Sequence, residues 1–378
     1  MSIHLQDIAT PAALVDVPRM QHNIERMQAR MDALDVRFRP HVKTSKSLPV
    51  VQAQLAAGAR GITVSTLKEA GQFFDAGITD VLYAVGIAPG KLPQVLALRR
   101  RGCQLKIITD SVAGAEAIVR FGREHGEAFE VWLEIDVDGR RSGIAPEGDT
   151  LLPVGRTLHE GGMVLGGVMT HAGSSYETHE PEALRRVAEQ ERAGTVRAAE
   201  RLRAAGLPCP VVSVGSTPTA LGASALPGVT EVRAGVYVFF DLVIHNVGVC
   251  TMQDIALSVL TTVIGHQPEK GWAIVDAGWM AMSRDRGTQQ QGHDYGYGQV
   301  CSEAGEPIAG YVMSGANQEH GILSRADGTD PDIAARFPLG TRLRILPIHA
   351  CATAAQHPEY QALLPGGERQ VWPRFYGW

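Results

Sequence analysis

From about residue 10 to residue 240, short apolar runs of strand character alternate with longer runs in which apolar residues recur every three or four positions. That alternation predicts a parallel α/β fold with a helix between successive strands. Strands are read near 36–42, 61–65, 80–85, 104–109, 129–136, 163–170, 211–215 and 230–238, and eight strands close a (β/α)8 barrel. The clearest helix spans 182–205, where Leu184, Val187, Ala188, Thr195, Ala198, Ala199 and Leu202 form a stripe opposite a row of arginines and glutamates. Glu191 falls on that stripe and Gly194 beside it, so the middle of this helix reads as its weakest part. Before the barrel, residues 12–16 read as an additional strand, followed by a helix with Met20, Ile24, Met27 and Met31 on one core-facing side.

Beyond about residue 246 the pattern changes. Strand-like runs at 255–264, 272–276, 298–301, 311–314 and 342–347 follow one another through turns, with no long helix between them. The expected organisation is a barrel domain over 10–245 and an all-β domain over 246–378, with residues 1–9 packing against the latter. The stretch 283–298, rich in glycine, tyrosine and charge, is long for a connection and reads as either functional or mobile.

Composition narrows the function classes. A chain of 378 residues exceeds what one core usually organises, which supports two domains. Apolar residues make up 44% and charged residues 20%, the balance of an ordinary globular protein, and a net charge of -5 argues against nucleic acid as a partner. The most apolar stretch, 236–249, is interrupted by Asp241, His245 and Asn246 and falls short of the roughly 20 residues that a membrane helix needs. The first residues have neither a basic start nor an apolar core, and five cysteines without paired spacing argue against a disulfide framework. A cytoplasmic enzyme is the expectation.

The chemistry gathers at strand ends, which converge in a barrel however far apart they lie in sequence. Lys43 follows the first strand in Arg39-Pro40-His41-Val42-Lys43-Thr44-Ser45-Lys46, a position where an amine can be desolvated and held as an imine to an aldehyde cofactor. The fifth loop, 136–143, can aim an arginine into the mouth, and the sixth brings His171 and Tyr176. Gly215, Ser216 and Thr217 after strand seven, with Gly235 and Tyr237 after strand eight, suit a phosphate, because small residues expose N–H groups and hydroxyls add donors. In the β domain, His349 and Cys351 end a strand-like run. An extended backbone there turns both to one face, where imidazole and thiolate can grip a borderline divalent ion and leave it coordinatively open. His293, His320 and His357 lack that geometry.

Taken together, the Pro-His-x-Lys-Thr context of Lys43, Arg141, His171, the Gly-Ser-Thr loop and the distal His-x-Cys pair resemble the fold-type III pyridoxal phosphate enzymes that act on D-3-hydroxy amino acids. That group includes the D-threonine aldolases and D-serine dehydratases. The resemblance runs from end to end and is carried by residues 39–47, 214–220 and 316–321. It implies an alanine racemase-like barrel with a C-terminal β domain, and a homodimer in which the second subunit's β domain lines the active-site mouth.

The resemblance also implies roles. Lys43 would be the Schiff-base lysine and the base at Cα, Arg141 would face the pyridine nitrogen, and His171 would lie against the ring. Tyr176, Gly215, Ser216, Thr217, Gly235 and Tyr237 would surround the phosphate. His349 and Cys351 would hold a divalent metal (zinc, manganese, cobalt or magnesium) against the substrate's 3-hydroxyl. Some D-threonine aldolases carry an acidic residue in place of Cys351, which tilts the expectation toward elimination: a dehydratase, with D-threo-3-hydroxyaspartate giving oxaloacetate and ammonia as the leading reaction. A retro-aldol cleavage or a D-serine dehydratase is the alternative. Ile348 stands where close relatives tend to have asparagine. A racemase of the same fold would need an opposing acid or base, for which Tyr295 or Tyr297 could serve, but would leave His349 and Cys351 unexplained. A non-catalytic cofactor carrier would lack the β domain. Arg140, Arg284, Arg286 and His293 are the candidates for a second substrate carboxylate.

Overall fold

The computed structural model describes residues 5–378. Eight parallel strands form one sheet: β2 (Arg37–Pro40), β3 (Ile62–Val64), β4 (Asp80–Gly86), β5 (Gln104–Thr109), β6 (Glu130–Ile135), β7 (Val164–Thr170), β8 (Val211–Val214) and β9 (Glu231–Ala234). The order β2-β9-β8-β7-β6-β5-β4-β3 follows the chain around a ring. The ring is closed by the lysine segment itself, where His41 bridges Thr63 and the Val42 amide donates to the Thr63 carbonyl at 2.9 Å.

Helices α2 (Leu48–Ala56), α3 (Leu67–Asp75), α4 (Leu92–Arg100), α5 (Val112–His125), α6 (Leu151–Glu160), α7 (Pro181–Ala204) and α8 (Thr217–Gly222) fill the connections. Their starts are written in capping residues: Thr66, Ser111 and Ser216 each accept a hydrogen bond from the backbone N–H three positions on. With helices outside and side chains inside, the strands are buried on both faces and read as unbroken apolar runs. The charges that do point inward are matched: Arg39 meets Glu231 at 2.9 Å and Asp80 at 2.8 Å, and Lys106 meets Asp80 at 2.6 Å.

The second sheet has nine strands: β1 (Ala12–Asp16), which precedes helix α1 (Val17–Ala33), then β10 (Leu257–Gln267), β11 (Trp272–Val275), β12 (Gly298–Ser302), β13 (Pro307–Ala316), β14 (Gly321–Arg325), β15 (Arg342–Pro347), β16 (Glu359–Leu363) and β17 (Arg369–Pro373). Their order is β11-β14-β13-β12-β15-β10-β1-β16-β17, antiparallel except where β1 runs parallel to β16. Short helices α9 (Leu242–Val247), α10 (Trp279–Met282), α11 (Ile333–Arg336) and α12 (Ala350–Ala354) sit in its connections. Its core gathers Val259, Val275, Val300, Met313, Leu323 and Ile345.

Two compact units result. The barrel unit comprises Arg26–Lys46, Val51–Gly235 and Gly377–Trp378; the β unit comprises the chain up to Glu25, Ser47–Val50 and Val236–Tyr376. The boundary thus falls at 235/236, ten residues before the one expected, and the strand at 12–16 belongs to the β unit. The reason is register: Ala12 pairs with Leu260 and Leu14 with Ser258, partners far along the chain that local periodicity does not reveal. Leu5 and Ile8 pack on Leu14 and Leu260, while residues 1–4 of the N-terminal segment lie outside the described residues. Strands β14, β16 and β17 also went unread; β17 is a polar, largely exposed edge strand with little alternation to detect.

Candidate active site

Lys43 lies in the turn that leaves β2, on the C-terminal side of the barrel, with buried Thr44 and Ser45 fixing the turn behind it. Of the two lysines in this segment, Lys46 is committed elsewhere. It is buried with a left-handed backbone (φ 45°), paired with Glu69 at 3.7 Å, and lies 5.2 Å from the ring centre of Trp378. Lys43, Arg141, Arg233 and His171 are near enough to His41 to depress its pKa together, after the larger effect of burial. His41 therefore stays neutral, and its buried Nδ1 has no hydrogen-bond partner among the described residues.

His171 follows β7 and is also neutral. Burial first, then the Arg141 guanidinium, pushes its pKa down to about 3. Its Nδ1 lies 3.0 Å from the Gly215 carbonyl, which can only accept, so Nδ1 carries the proton and Nε2 presents a lone pair. Tyr176 stands beside it, ring centres 5.9 Å apart. Gly215, at φ +139°, has no room for a side chain: a Cβ would sit 2.0 Å from the Arg233 carbonyl oxygen. At Gly235 a Cβ would meet the His41 carbonyl at 2.9 Å.

The Gly-Ser-Thr loop differs from expectation in one respect. The N–H groups of Gly215 and Ser216 are not presented outward; they donate to Glu191 Oε1 at 3.1 Å and to Thr219 Oγ1 at 3.0 Å. The hydroxyls are held as well, with Ser216 Oγ 2.8 Å from Ser175 Oγ and accepting from the Thr219 N–H at 3.2 Å, and Thr217 at the first turn of α8. Tyr237 is fully buried in the turn after β9 and belongs to the β unit.

In the β unit, β15 ends at Pro347 and the chain turns into α12, so the extended backbone expected through residue 351 is not there. His349 and Cys351 meet all the same, because His349 is the last extended residue (φ −134°, ψ 109°) and Cys351 lies in the first turn of the helix, and their side chains hydrogen-bond. Burial disfavours a charged His349, but the Cys351 sulfur and the Asp285 carboxylate outweigh it and push the imidazole up to about 11. Asp285 Oδ2 accepts from His349 Nδ1 at 2.8 Å. Asp241, buried, braces the turn against α9 by accepting from the Ala350 N–H at 2.8 Å and from the Ile244 N–H at 2.9 Å. Ile348 is buried and its carbonyl accepts from the Val243 N–H.

The family description "Alanine racemase, N-terminal domain" matches residues 15–243, and "Putative serine dehydratase domain" matches 256–363. D-threo-3-hydroxyaspartate dehydratase of Delftia sp. is 71% identical over 376 residues, 99% of each chain. The chain belongs to the D-threonine aldolase and D-serine dehydratase family of pyridoxal phosphate enzymes. The solved Delftia enzyme superposes with a TM-score of 0.98 at 70% identity, covering 99% of this chain and 100% of its own. D-threonine aldolase of Filomicrobium marinum superposes with a TM-score of 0.82 at 25% identity, covering 99% and 97%. D-serine dehydratase of Dictyostelium discoideum is 28% identical over 95% of this chain and 94% of its own.

For a member of the D-threonine aldolase and D-serine dehydratase family, the residues present fit both expected groups. The barrel mouth brings Lys43, Arg141 and Arg233 near His41 and His171, two imidazoles kept neutral chiefly by burial and further by these cations, so positive charge is at hand for a phosphate-bearing cofactor. Two glycines that admit no Cβ and an orphaned His41 Nδ1 add the signs of a cradle. The His349–Cys351 pair, braced at Nδ1, has the donor set for a divalent ion, and no cluster of three or more such ligands occurs among the described residues. Sequence reasoning missed two members of these sites, Glu191 and Asp285. A glutamate on an otherwise apolar helical stripe was the available signal for the first; the second had none beyond lying in the 283–298 loop.

Of the candidates for a second carboxylate, Arg140 pairs with Glu177 at 2.7 Å and Arg286 with Asp294 at 2.9 Å, while His293 packs tilted against Tyr295, ring centres 4.2 Å apart. Arg284 stacks on Trp279, 5.1 Å from the ring centre, and makes no ion pair with a carboxylate among the described residues.

Proposed function

We propose that this chain is a pyridoxal phosphate- and divalent metal-dependent dehydratase that converts D-threo-3-hydroxyaspartate to oxaloacetate and ammonia. The observation that carries the reading is the His349–Cys351 pair with Asp285 behind it, a ligand set that a racemase on the same fold would not use. Solved forms of D-threo-3-hydroxyaspartate dehydratase at 70% identity support it: a histidine-to-alanine variant, and a cysteine-to-alanine variant in the metal-free form, at positions two residues apart like His349 and Cys351.

Bound pyridoxal phosphate supplies an electron sink for charge left at Cα, and a divalent ion supplies a Lewis acid for the 3-hydroxyl. Lys43 Nζ takes the proton from the substrate's Cα. Arg141 is the cation for the ring nitrogen, and His171, held neutral with its proton on Nδ1, offers no second positive charge against the ring. Tyr176, Ser216, Thr217, Gly235 and Tyr237 bind and shape the phosphate end. Gly215 contributes its carbonyl to His171 and its closeness to the neighbouring strand. His349 Nε2 and Cys351 Sγ would hold the ion; Asp285, an acceptor only, keeps the proton on Nδ1, so the metal takes the place of the Nε2 proton.

Arg284, one residue before Asp285, serves the substrate's second carboxylate, which favours 3-hydroxyaspartate over D-serine and D-threonine. The reading extends to a homodimer with a shared active site and to a cytoplasmic location, the latter supported by an odd number of cysteines without paired spacing. No helix among the described residues is long and apolar enough to cross a membrane. Incubating the holoenzyme separately with D-threo-3-hydroxyaspartate, D-serine and D-threonine, and identifying products by mass spectrometry, tests the proposal. A 2-oxo acid with ammonia, formed fastest from the first substrate, is the expected result; glycine with an aldehyde would replace it by an aldolase.

A further inference from the structure

Glu191 is the one acidic residue on the buried face of α7, 1% exposed. It is not a flaw in the helix. Its Oε1 accepts two backbone N–H groups, from Ala172 at 3.0 Å and from Gly215 at 3.1 Å, and its carboxyl also takes a hydrogen bond from the Thr219 hydroxyl. Ala172 directly follows His171, and Gly215 opens the loop of Ser216 and Thr217. A closed circuit results: Glu191 to Ala172, along the chain to His171, from His171 Nδ1 to the Gly215 carbonyl at 3.0 Å, and from the Gly215 N–H back to Glu191. Both polar groups of Gly215 are thereby held, its N–H by Glu191 and its carbonyl by His171. A buried carboxylate oxygen shared by two loops fixes their spacing as no apolar side chain can, because without it two buried N–H groups are left unmatched.

We infer that Glu191 is a positioning residue for the cofactor: it ties the loop after β7 to the loop after β8, and so sets His171 and the Ser216–Thr217 hydroxyls at the separation that pyridoxal phosphate needs. The neighbouring Gly194 fits the same design. A Cβ there would meet Val137 Cγ1 at 3.0 Å and Pro146 Cγ at 3.1 Å, so the glycine lets α7 approach the loop after β6 closely enough for Glu191 to reach inward. The inference rests on the proposal that these loops hold the cofactor.

The test is equilibrium titration of apoprotein with pyridoxal phosphate, followed by the absorbance of the bound cofactor, for the wild type, Glu191→Gln, Glu191→Asp and Glu191→Leu, with Leu202→Ala as a packing control on the same helix. Gln keeps an acceptor at Oε1 and holds affinity to within about threefold, whereas Leu and the shortened Asp lose about 10- to 100-fold, the usual cost of removing an outer support of a bound group. If Leu does not fold, Asp carries the comparison. Leu202→Ala, buried but remote from both loops, lowers the melting temperature and leaves cofactor affinity unchanged. Wild-type affinity in both Asp and Leu overturns the inference. So does a loss in Leu202→Ala as large as theirs, or a loss in Gln equal to that in Leu. Lys43→Ala separates the two levels: a Lys43→Ala protein with an unchanged cofactor spectrum and full turnover sinks the reading of the site, whatever Glu191 does.

Discussion

Gly215→Ala puts the barrel cradle to a quantitative test. The glycine lies at φ +139°, and its absent Cβ would fall 2.0 Å from the Arg233 carbonyl oxygen, 2.8 Å from the Arg233 nitrogen and 2.9 Å from its carbonyl carbon. All three atoms are backbone of β9, which pairs with β8 at Val214 and Val232 just one residue earlier, so no side chain can swing aside. Reaching even 3.0 Å requires a displacement of about 1 Å between two barrel strands, in an interior packed about as densely as an organic crystal. Overpacking of that kind costs about 1–3 kcal/mol, and forcing a non-glycine residue into this backbone region adds about 1–2 kcal/mol. The sum, about 2–5 kcal/mol, corresponds to a fall in melting temperature of roughly 2–4 °C per kcal/mol for a unit of this size. Because the strand shift also moves the carbonyl that orients His171, cofactor affinity falls with stability. Urea denaturation of the apoprotein gives the first quantity and a pyridoxal phosphate titration the second. A Gly215→Ala protein with wild-type stability and affinity would refute the reasoning.

Further consequences can be checked in parallel. Asp285→Asn keeps the shape behind His349 but removes the charge that fixes its proton on Nδ1, so metal affinity drops by about 10- to 100-fold with cofactor retained, read by chelator competition. His171 has a folded pKa of about 3 against about 6.5 unfolded, so below about 6.5 the unfolded chain takes up a proton that the native one refuses. Apoprotein stability therefore declines as pH falls from about 6.5 toward 3, by at most about 1.4 kcal/mol per unit from this residue, and His171→Asn flattens that slope in denaturation curves; an identical slope refutes the assignment. Arg284→Gln raises KM for D-threo-3-hydroxyaspartate by about 10- to 100-fold, the range of a charge-assisted hydrogen bond, while leaving KM for D-serine within about twofold; equal effects on both substrates would remove Arg284 from the carboxylate site.

What could be read from the residues alone was what repeats locally. All eight barrel strands emerge within a few residues of their predicted positions, and the strand-end logic brings Lys43, Arg141 and His171 to one mouth because closure of a parallel ring leaves them nowhere else to go. The β unit was harder. Strand β1 is claimed by partners near residues 260 and 361, and the short polar edge strands carry no alternation. His349 and Cys351 were found through an extended backbone that the structure replaces with a helix N-terminus, since Pro347 ends the strand. Glu191 was legible only as an anomaly. Its meaning depends on two amides, 19 and 24 residues away, that the fold delivers to one oxygen.

The central claim, metal-assisted elimination on this chain, is most directly tested by chelation. Holoenzyme stripped of divalent metal is assayed for ammonia release from D-threo-3-hydroxyaspartate, with cofactor absorbance followed in the same sample. Ammonia release should vanish, return on adding a divalent metal to the wild type, and fail to return in Cys351→Ala, with pyridoxal phosphate bound throughout. Undiminished ammonia release from metal-free wild-type enzyme would contradict the account.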